Sequence, residues 1–283
     1  MAKQKNLYRD HHFNQIKTGW NVVFSIILCL ISLLMLIPLV LIVVVSFSSE
    51  ASIALNGFSF FPTEWTLVGY KYLAKMGDQI LISYRITIII TILGTLMSLF
   101  VMTMYAYVLA QKNFVFRKFF MWILFFTMLF SGGLVPSYIM NVRYLHINDS
   151  IWIFLLPSLV SVYNVIILRT FILTTIPDTL FEAARIDGAG HFRVYVSIVL
   201  PLFKAGIATI ALFNVVSRWN DWFTGMLYIK KASLIPLQTM LKNIQDNIDF
   251  LKQNAEVAGT PDGIAFLNSL PDQNLRMACT IIV

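Results

Sequence analysis

The residues able to do chemistry gather in one polar stretch of a mostly apolar chain, Ile176 to Arg193, where Asp178, Glu182, Arg185 and Asp187 precede Gly188 and Gly190. Elsewhere the usual reactive patterns are missing. His11, His12, His146 and His191 form no H-E-x-x-H pair, no serine lies in a G-x-S-x-G elbow, and no G-x-x-x-x-G-K-[ST] loop could cradle a nucleotide phosphate. The His11-His12 pair reads as part of a solvated tail before it reads as a metal site. Cys29 and Cys279 lie inside apolar runs, which supports neither a disulfide framework nor a zinc site and predicts two buried thiols. What remains for the polar stretch is recognition of another surface.

Its local code predicts a short, sharply bounded helix. Thr175 is placed to cap it, Pro177 suits an early position, and Asp178 and Glu182 bring negative charge to its positive N-terminal end. Gly188 and Gly190 supply a stop and a change of direction, because glycine enters left-handed conformations without steric cost. Ala183 and Ala184 leave a narrow waist for close approach of another backbone, and Leu180, Phe181 and Ile186 offer apolar contact area. Two readings fit such a helix: an interfacial amphipathic helix, or a docking element for a partner. Three acidic groups and the lack of a lysine-rich polar face count against the first.

The elements that must position this stretch are membrane spans. Of the 283 residues 58% are hydrophobic and only 12% charged, and the mean hydropathy is +0.75, far from the roughly 45–50% and 25% of soluble domains. The chain reads as an all-α integral membrane protein. Apolar runs of ~20 residues or more lie at about Val22 to Phe47, Ile80 to Ala110, Phe119 to Met140, Ile151 to Leu173 and Tyr195 to Ser217, and Arg276 to Val283 looks like the first turns of a sixth span cut short. Prolines 38, 136, 157 and 201 are expected to kink these spans without breaking them.

The net charge of +7 would suggest nucleic acid in a soluble protein, but the positives follow the loops. Lys3, Lys5, Arg9 and Lys17 in the head, the basic turn Lys112 to Lys118, and Arg169, Arg185 and Arg193 outweigh Lys71, Lys75 and Arg143 on the other side. This puts the N-terminus, a head of residues 1–20, in the cytoplasm, ahead of a transmembrane domain at 21–283. The acidic residues fall outside the central parts of the spans, whereas an ion-coupled carrier keeps ionisable groups at bilayer depth. If the protein pumps, another subunit supplies the energy.

Glu182-Ala183-Ala184, Gly188 after three residues, and Ile198, Leu200 and Pro201 after nine more resemble, without a departure, the EAA-x3-G-x9-I-x-L-P signature of permease subunits of binding-protein-dependent ABC importers. Asp187, Ala189 and Gly190 extend the likeness toward the carbohydrate-uptake branch, that of the smaller maltose permease. The resemblance implies the six-helix type I importer fold, in a prokaryotic inner or plasma membrane. It implies that residues 176–201 form the coupling loop, with Leu180, Phe181, Glu182, Ala183, Ala184, Asp187, Gly188, Ala189 and Gly190 meeting a cytoplasmic ATPase dimer. Glu182 would pair with a basic group there, and Gly188 would allow the elbow. It further implies a second, similar permease making a heterodimer, an extracytoplasmic substrate-binding protein, lipid contact and no nucleic acid. ATP and Mg belong to the partner ATPase, none to this chain, which is no enzyme itself. The rivals are a secondary carrier and a non-transporting membrane scaffold; the missing membrane carboxylates oppose the first, and the intact signature opposes both.

The stretch from about Gly225 to Leu275 is long for a connection and marked by Gly259-Thr260-Pro261-Asp262-Gly263 and Pro271-Asp272. On the orientation above it is extracytoplasmic, either a docking loop for the binding protein or a linker. Trp219-Asn220-Asp221-Trp222 reads as an aromatic belt or as part of a site. Tyr163, Asn164, Asn214 and Asn220 are the candidates for a substrate path, against the plainer role of amides as interhelical glue.

Overall fold

The computed structural model describes residues 18–253 and 272–282, which divide into two compact units, 18–73 with 272–282, and 74–253. Residues 1–17 of the expected head, with the His11-His12 pair, and the Gly259–Gly263 segment with Pro271 lie outside the described residues. Most of the described backbone is helical, and Ser48 and Trp65 form an isolated β-bridge.

In the first unit α1, Thr18–Ser46, runs unbroken through Pro38. Its 29 residues reach roughly 43 Å at 1.5 Å each, more than the ~30 Å of a hydrocarbon core. Cys29 is exposed on its apolar surface, which corrects the expectation of two buried thiols; only Cys279 is buried. The helix α2, Glu50–Asn56, is capped by Ser49, whose Oγ accepts from the Ser52 amide, and ends at Gly57 with φ +67°. The helix α3, Val68–Lys75, begins here. The last helix, Gln273–Ile282, starts about a turn before the expected Arg276 and packs on α1.

Asn274 closes this unit. Its Nδ2 donates to the carbonyls of Ser46 at 2.7 Å and Ser48 at 2.8 Å, while Oδ1 accepts from the Gly69 amide at 2.9 Å. A Cβ at position 69 would come within 2.0 Å of that oxygen, so glycine is required by the close approach.

The second unit is built around α4, Gly77–Ala110, whose buried face repeats Ser83, Thr87, Thr91, Gly94, Thr95, Ser98 and Met102 at helical spacing. Small side chains there let neighbouring helices come close. The remaining long runs are each bent. The helix α5, Arg117–Leu129, and α6, Leu134–Tyr144, meet at 114°, with the turn made at Gly133, φ +83°; Pro136 then falls in the first turn of α6, where a missing N–H does no harm. After the short α7, Trp152–Leu155, the chain leaves the helix around Pro157, and Ser161 caps α8, Val162–Thr175. The helix α9, Asp178–Ile186, follows α8 at 77°. The helix α10, His191–Leu202, turns by 80° into α11, Lys204–Trp219. A π-helical turn at Tyr195–Val199 lies just ahead of Pro201, where proline removes an amide from the ladder. The expected kinks at positions 136, 157 and 201 are therefore accompanied by breaks at Gly133, at Pro157 and at Phe203.

Two described helices, Gly19–Ser46 and Gly77–Ala110, are long and apolar enough to cross a membrane alone, and the bent pairs raise the number to as many as five. The region expected as a loop from Gly225 is largely helical where described. It contains α12, Phe223–Tyr228, a 3-10 turn at Ala232–Leu234, and α13, Leu237–Gln253. The Leu237 amide donates to Thr87 Oγ1 at 2.8 Å, and Leu237, Met240, Leu241, Ile244 and Ile248 are buried. Their spacing is that of an amphipathic helix laid along a packed surface. The core of the unit is Met102, Ala106 and Leu109 of α4 against Val165, Leu168 and Ile172 of α8, closed by Val199, Phe203 and Ile210.

Candidate functional site

The signature stretch folds as a helix ended by a Schellman turn. Gly188 has φ +72°, the Ala189 amide reaches back to the Ala184 carbonyl at 2.9 Å, and the Gly188 amide to the Arg185 carbonyl at 3.0 Å, the paired bonds of that motif. The start differs from the expectation. Thr175 is the last residue of α8, and Pro177 itself is the N-cap of α9, with extended backbone and no side-chain cap. The two helices abut, so no free turn remains for Thr175 to cap.

Four contacts tie α9 and the start of α10 to the C-terminal end of α4 and the residues just after it. The Phe181 ring lies 6.5 Å from that of Tyr107. Arg185 Nη2 donates to Gln111 Oε1 at 3.3 Å, and Lys112 pairs with Asp178 on the surface. Tyr107 Oη lies 3.3 Å from both Nδ1 and the carbonyl oxygen of His191. Behind them the Tyr195 hydroxyl bonds Thr103 Oγ1 at 2.7 Å. An apolar cavity of about 370 Å³ opens among Tyr107, Gln111, Phe114, Arg185 and His191.

The expected contact residues divide into two faces. Leu180, Glu182, Ala183, Asp187, Gly188 and Gly190 are exposed, and Ile186 is 87% exposed. Phe181 and Ala189 are half-buried and Ala184 is buried in the chain's own core, so Phe181 packs inward and, of the two alanines expected at the waist, Ala183 is the exposed one. A groove of about 330 Å³ runs between α9 and α10, bordered by Leu180, Ala183, Asp187, Arg193 and Ile198.

The four candidate path residues are not brought together. Tyr163 is 61% exposed on α8. The Asn164 amide N–H donates to Ser161 Oγ, Asn214 Nδ2 to the Ile210 carbonyl at 2.9 Å, and Asn220 Nδ2 to the Val216 carbonyl at 2.8 Å. Two of the side-chain amides therefore turn back on their own helix, and Asn220 Oδ1 also accepts from Gln238 Nε2 of α13 at 3.2 Å.

A polar centre lies instead in the other half of α4, around Arg218. This residue is 8% exposed. Its Nη1 donates to the Phe154 carbonyl at 2.7 Å, and Nη2 to Ser98 Oγ at 2.6 Å and the Ser158 carbonyl at 3.0 Å. Phe154 and Ser158 flank the break at Pro157, so one side chain satisfies carbonyls that the break releases and joins α11 to α4. Two cavities adjoin it. One, of about 180 Å³, is lined by Ile90, Ser158, Ser217, Arg218 and Asp221; another, of about 260 Å³, has Asn141, Ser158, Asp221 and Tyr228 on its wall. Asn141 Nδ2 donates to Tyr228 Oη at 3.2 Å, and the Tyr138 ring stacks on Tyr228 at 5.5 Å. Sequence reasoning missed Arg218 because the fifth apolar run seemed to end at Ser217. The signal that could have found it was the four-residue repeat of small hydroxyl side chains on α4, a polar stripe in a buried helix that calls for a polar partner.

Residues 103–251 match the model of the binding-protein-dependent transport system inner membrane component family. The chain is 31% identical to the polygalacturonan/rhamnogalacturonan transport system permease protein YtcP of Bacillus subtilis (strain 168), over 90% of this chain and 86% of that one. It is 35% identical to Protein LplC of the same organism, over 87% and 80%. Among solved structures it is similar to a bacterial ABC transporter involved in the import of the acidic polysaccharide alginate, with a TM-score of 0.74 and 29% identity over 95% of this chain and 93% of that one. With long apolar helices, an unbroken signature loop and these relatives, the chain is a multi-pass membrane protein that belongs to the inner-membrane components of binding-protein-dependent transport systems.

Proposed function

We propose that this chain is the permease subunit of an ATP-driven importer of oligosaccharides that carry acidic groups. Two of the similar proteins are named for galacturonan and alginate, both built of uronic acids, and this supports a carboxylated cargo. The assembly in this reading has a second, similar permease in a heterodimer, an ATPase dimer in the cytoplasm and an external binding protein. The chain contributes six spans, five from the described helices and the sixth from the helix beginning at Gln273, with residues 1–20 in the cytoplasm.

The observation that carries the reading is the helix Asp178–Ile186, short, capped by a Schellman turn and packed at its back on Tyr107 and Gln111. Its outer face, Leu180, Glu182, Ala183, Asp187, Gly188 and Gly190, meets a cleft on the ATPase, and Glu182 pairs there with a basic group. Phe181, Ala184 and Ala189 fix the helix to the membrane part. When ATP closes the ATPase dimer, the helix moves as a rigid lever, carries the inner end of α4 with it and turns the cavity between the permeases from inward to outward facing. Residues 176–201 are the coupling loop, and the part of 225–275 that includes α13 faces the external binding protein. Asn164, Asn214 and Asn220 act as structural amides in this reading, and Tyr163 as a surface phenol.

The test is uptake into proteoliposomes holding the assembled importer. Uptake of trigalacturonate is expected to require the ATPase and ATP and to ignore an imposed proton gradient. Gradient-driven uptake by the permeases alone would return the secondary carrier to first place.

A further inference from the structure

We infer that the niche formed by Arg218, Thr91 and Thr95 in the outer half of this subunit is a transit subsite for the carboxylate of an acidic sugar. The inference rests on the proposed function for the nature of the cargo, and deepens it by assigning the residues that meet the charge.

Among the described residues three buried side-chain polar atoms have no hydrogen-bond partner: Thr91 Oγ1, Thr95 Oγ1 and Arg218 Nε. They fall in one place. Thr91 and Thr95 flank Gly94 on the buried face of α4, and the Arg218 guanidinium lies directly over Gly94. Each of the three residues is more than nine-tenths buried, at 5%, 6% and 8% exposure. Buried hydroxyls and guanidinium nitrogens are costly to leave unmatched, and such atoms mark a site for a group that completes them. Two of the three offer donors only when rotated toward a ligand, and the third is a fixed donor. A carboxylate, accepting from all of them, is the matching group.

Charge leads to the same class. The Nη bonds of Arg218 go to two carbonyls and a hydroxyl, none of them charged, so they orient the guanidinium without neutralising it. Arginine presents a rigid fork suited to carboxylates; of the three residues Arg218 lines the cavity of about 180 Å³, beside Ile90, the neighbour of Thr91. That space suits one sugar unit, and the adjoining cavity with Asn141 and Tyr228 gives the next unit an amide and a phenol.

Asp221 lines the same cavity and opposes an anion. Its Oδ1 accepts the Thr224 amide at 3.0 Å, which fixes the carboxylate as a cap on α12. The repulsion keeps the subsite weak, as a transport path requires, since cargo held firmly there would not move on. The two charges therefore set affinity in opposite directions, and this gives the inference a test that a purely structural Arg218 does not meet.

The assembled importer in proteoliposomes is assayed with trigalacturonate and with its carboxyl-reduced, neutral form. For Thr91→Val the KM for trigalacturonate is expected to rise about tenfold relative to the neutral probe, the scale of one charge-assisted hydrogen bond. For Asp221→Asn, which keeps the capping oxygen, it is expected to fall several-fold relative to the neutral probe. Arg218→Lys is expected to shift the ratio as Thr91→Val does, but it also disturbs the clasp on Phe154 and Ser158, so the other two variants decide. If wild type takes up trigalacturonate and both variants leave the ratio of the two KM values unchanged, the subsite is wrong and the proposed function stands. If wild type takes up only the neutral probe, or neither, the acidic-cargo reading fails and this inference with it.

Discussion

The Arg218 guanidinium occupies the space that a side chain at Gly94 would need: a Cβ at position 94 would lie 2.5 Å from Nη1 and 2.7 Å from Cζ. The glycine and the arginine are one device. The first lets a planar cation lie flat on α4, and the second uses that position to reach Ser98 and the carbonyls of Phe154 and Ser158. Gly94→Ala is therefore expected to displace the guanidinium and lower stability by about 1–3 kcal/mol, the usual cost of overpacking. Thermal unfolding of the purified chain in detergent checks it. An unchanged midpoint would mean that the guanidinium has another place to go.

Gly188 is a different kind of glycine. Nothing lies within 4 Å of a Cβ built there, and only its φ of +72° restricts the residue. Substitution thus acts through the backbone alone, at roughly 1–2 kcal/mol for the left-handed conformation and more for a β-branched side chain. Gly188→Val is expected to leave assembly in the membrane intact and to reduce ATP-driven uptake at least tenfold, while Gly188→Asn retains most of it because asparagine tolerates this conformation. Native uptake by the valine variant would remove the turn from the lever.

How far the sequence spoke depended on whether a local rule was sufficient. The turn at Gly188 and the short helix before it could be read directly, because positive φ and helix termination are properties of a few consecutive residues. The direction of Phe181 and Ala184 could not, since which face of α9 turns inward is decided by Tyr107 and the rest of the core on α4 and α10. The breaks near Gly133 and Pro157 were hidden for a related reason. Hydropathy measures whether a run is apolar and is blind to whether its backbone stays hydrogen-bonded, and the group that makes the Pro157 break tolerable is an arginine sixty residues later in the chain. Likewise α13 looked like a polar connection because its buried stripe is narrow, and the amide that anchors it finds Thr87 only in the folded unit.

Asp149 offers a pH test away from the spans. Its backbone is left-handed, φ +50°, and its Oδ1 accepts the amides of Lys230 at 2.5 Å and Lys231 at 3.1 Å. These bonds, the Lys230 amide foremost, hold its carboxyl below the ordinary value of 3.8. A lowered folded pKa means that the contribution is complete above the unfolded value, about 3.9, and is lost as pH falls through the folded one. Hydrogen exchange at the Lys230 and Lys231 amides, corrected for intrinsic rates, is expected to show constant protection from neutral pH down to about 4 and loss only below. In Asp149→Asn the protection is lower and no longer depends on pH in that range. Loss centred above the ordinary carboxylate value in the native protein would contradict the assignment.

The contacts behind the helix Asp178–Ile186 differ in kind, and that difference predicts which of them carries motion under the proposed function. Lys112 and Asp178 are 65% and 54% exposed, and an ion pair so open to solvent contributes at most about 1 kcal/mol and yields to salt. Phe181, by contrast, packs on Tyr107, which in turn packs on Tyr195 at 5.5 Å, and an aromatic contact adds about 0.5–1.5 kcal/mol beyond the area it buries. The packed contact also resists displacement in every direction, whereas a surface pair stretches. Phe181→Ala is expected to leave ATP hydrolysis running while the cargo moved per ATP falls several-fold, because the helix follows the ATPase and α4 no longer follows the helix. Phe181→Leu should lie between, Gln111→Ala should show a smaller loss through Arg185, and Lys112→Ala should stay within about twofold of the native ratio, in keeping with the small worth of an exposed pair. Parallel measurement of uptake and hydrolysis in the same proteoliposomes separates these cases. Uncoupling by Lys112→Ala with full coupling in Phe181→Ala would mean that charge, and not packing, joins the lever to the membrane.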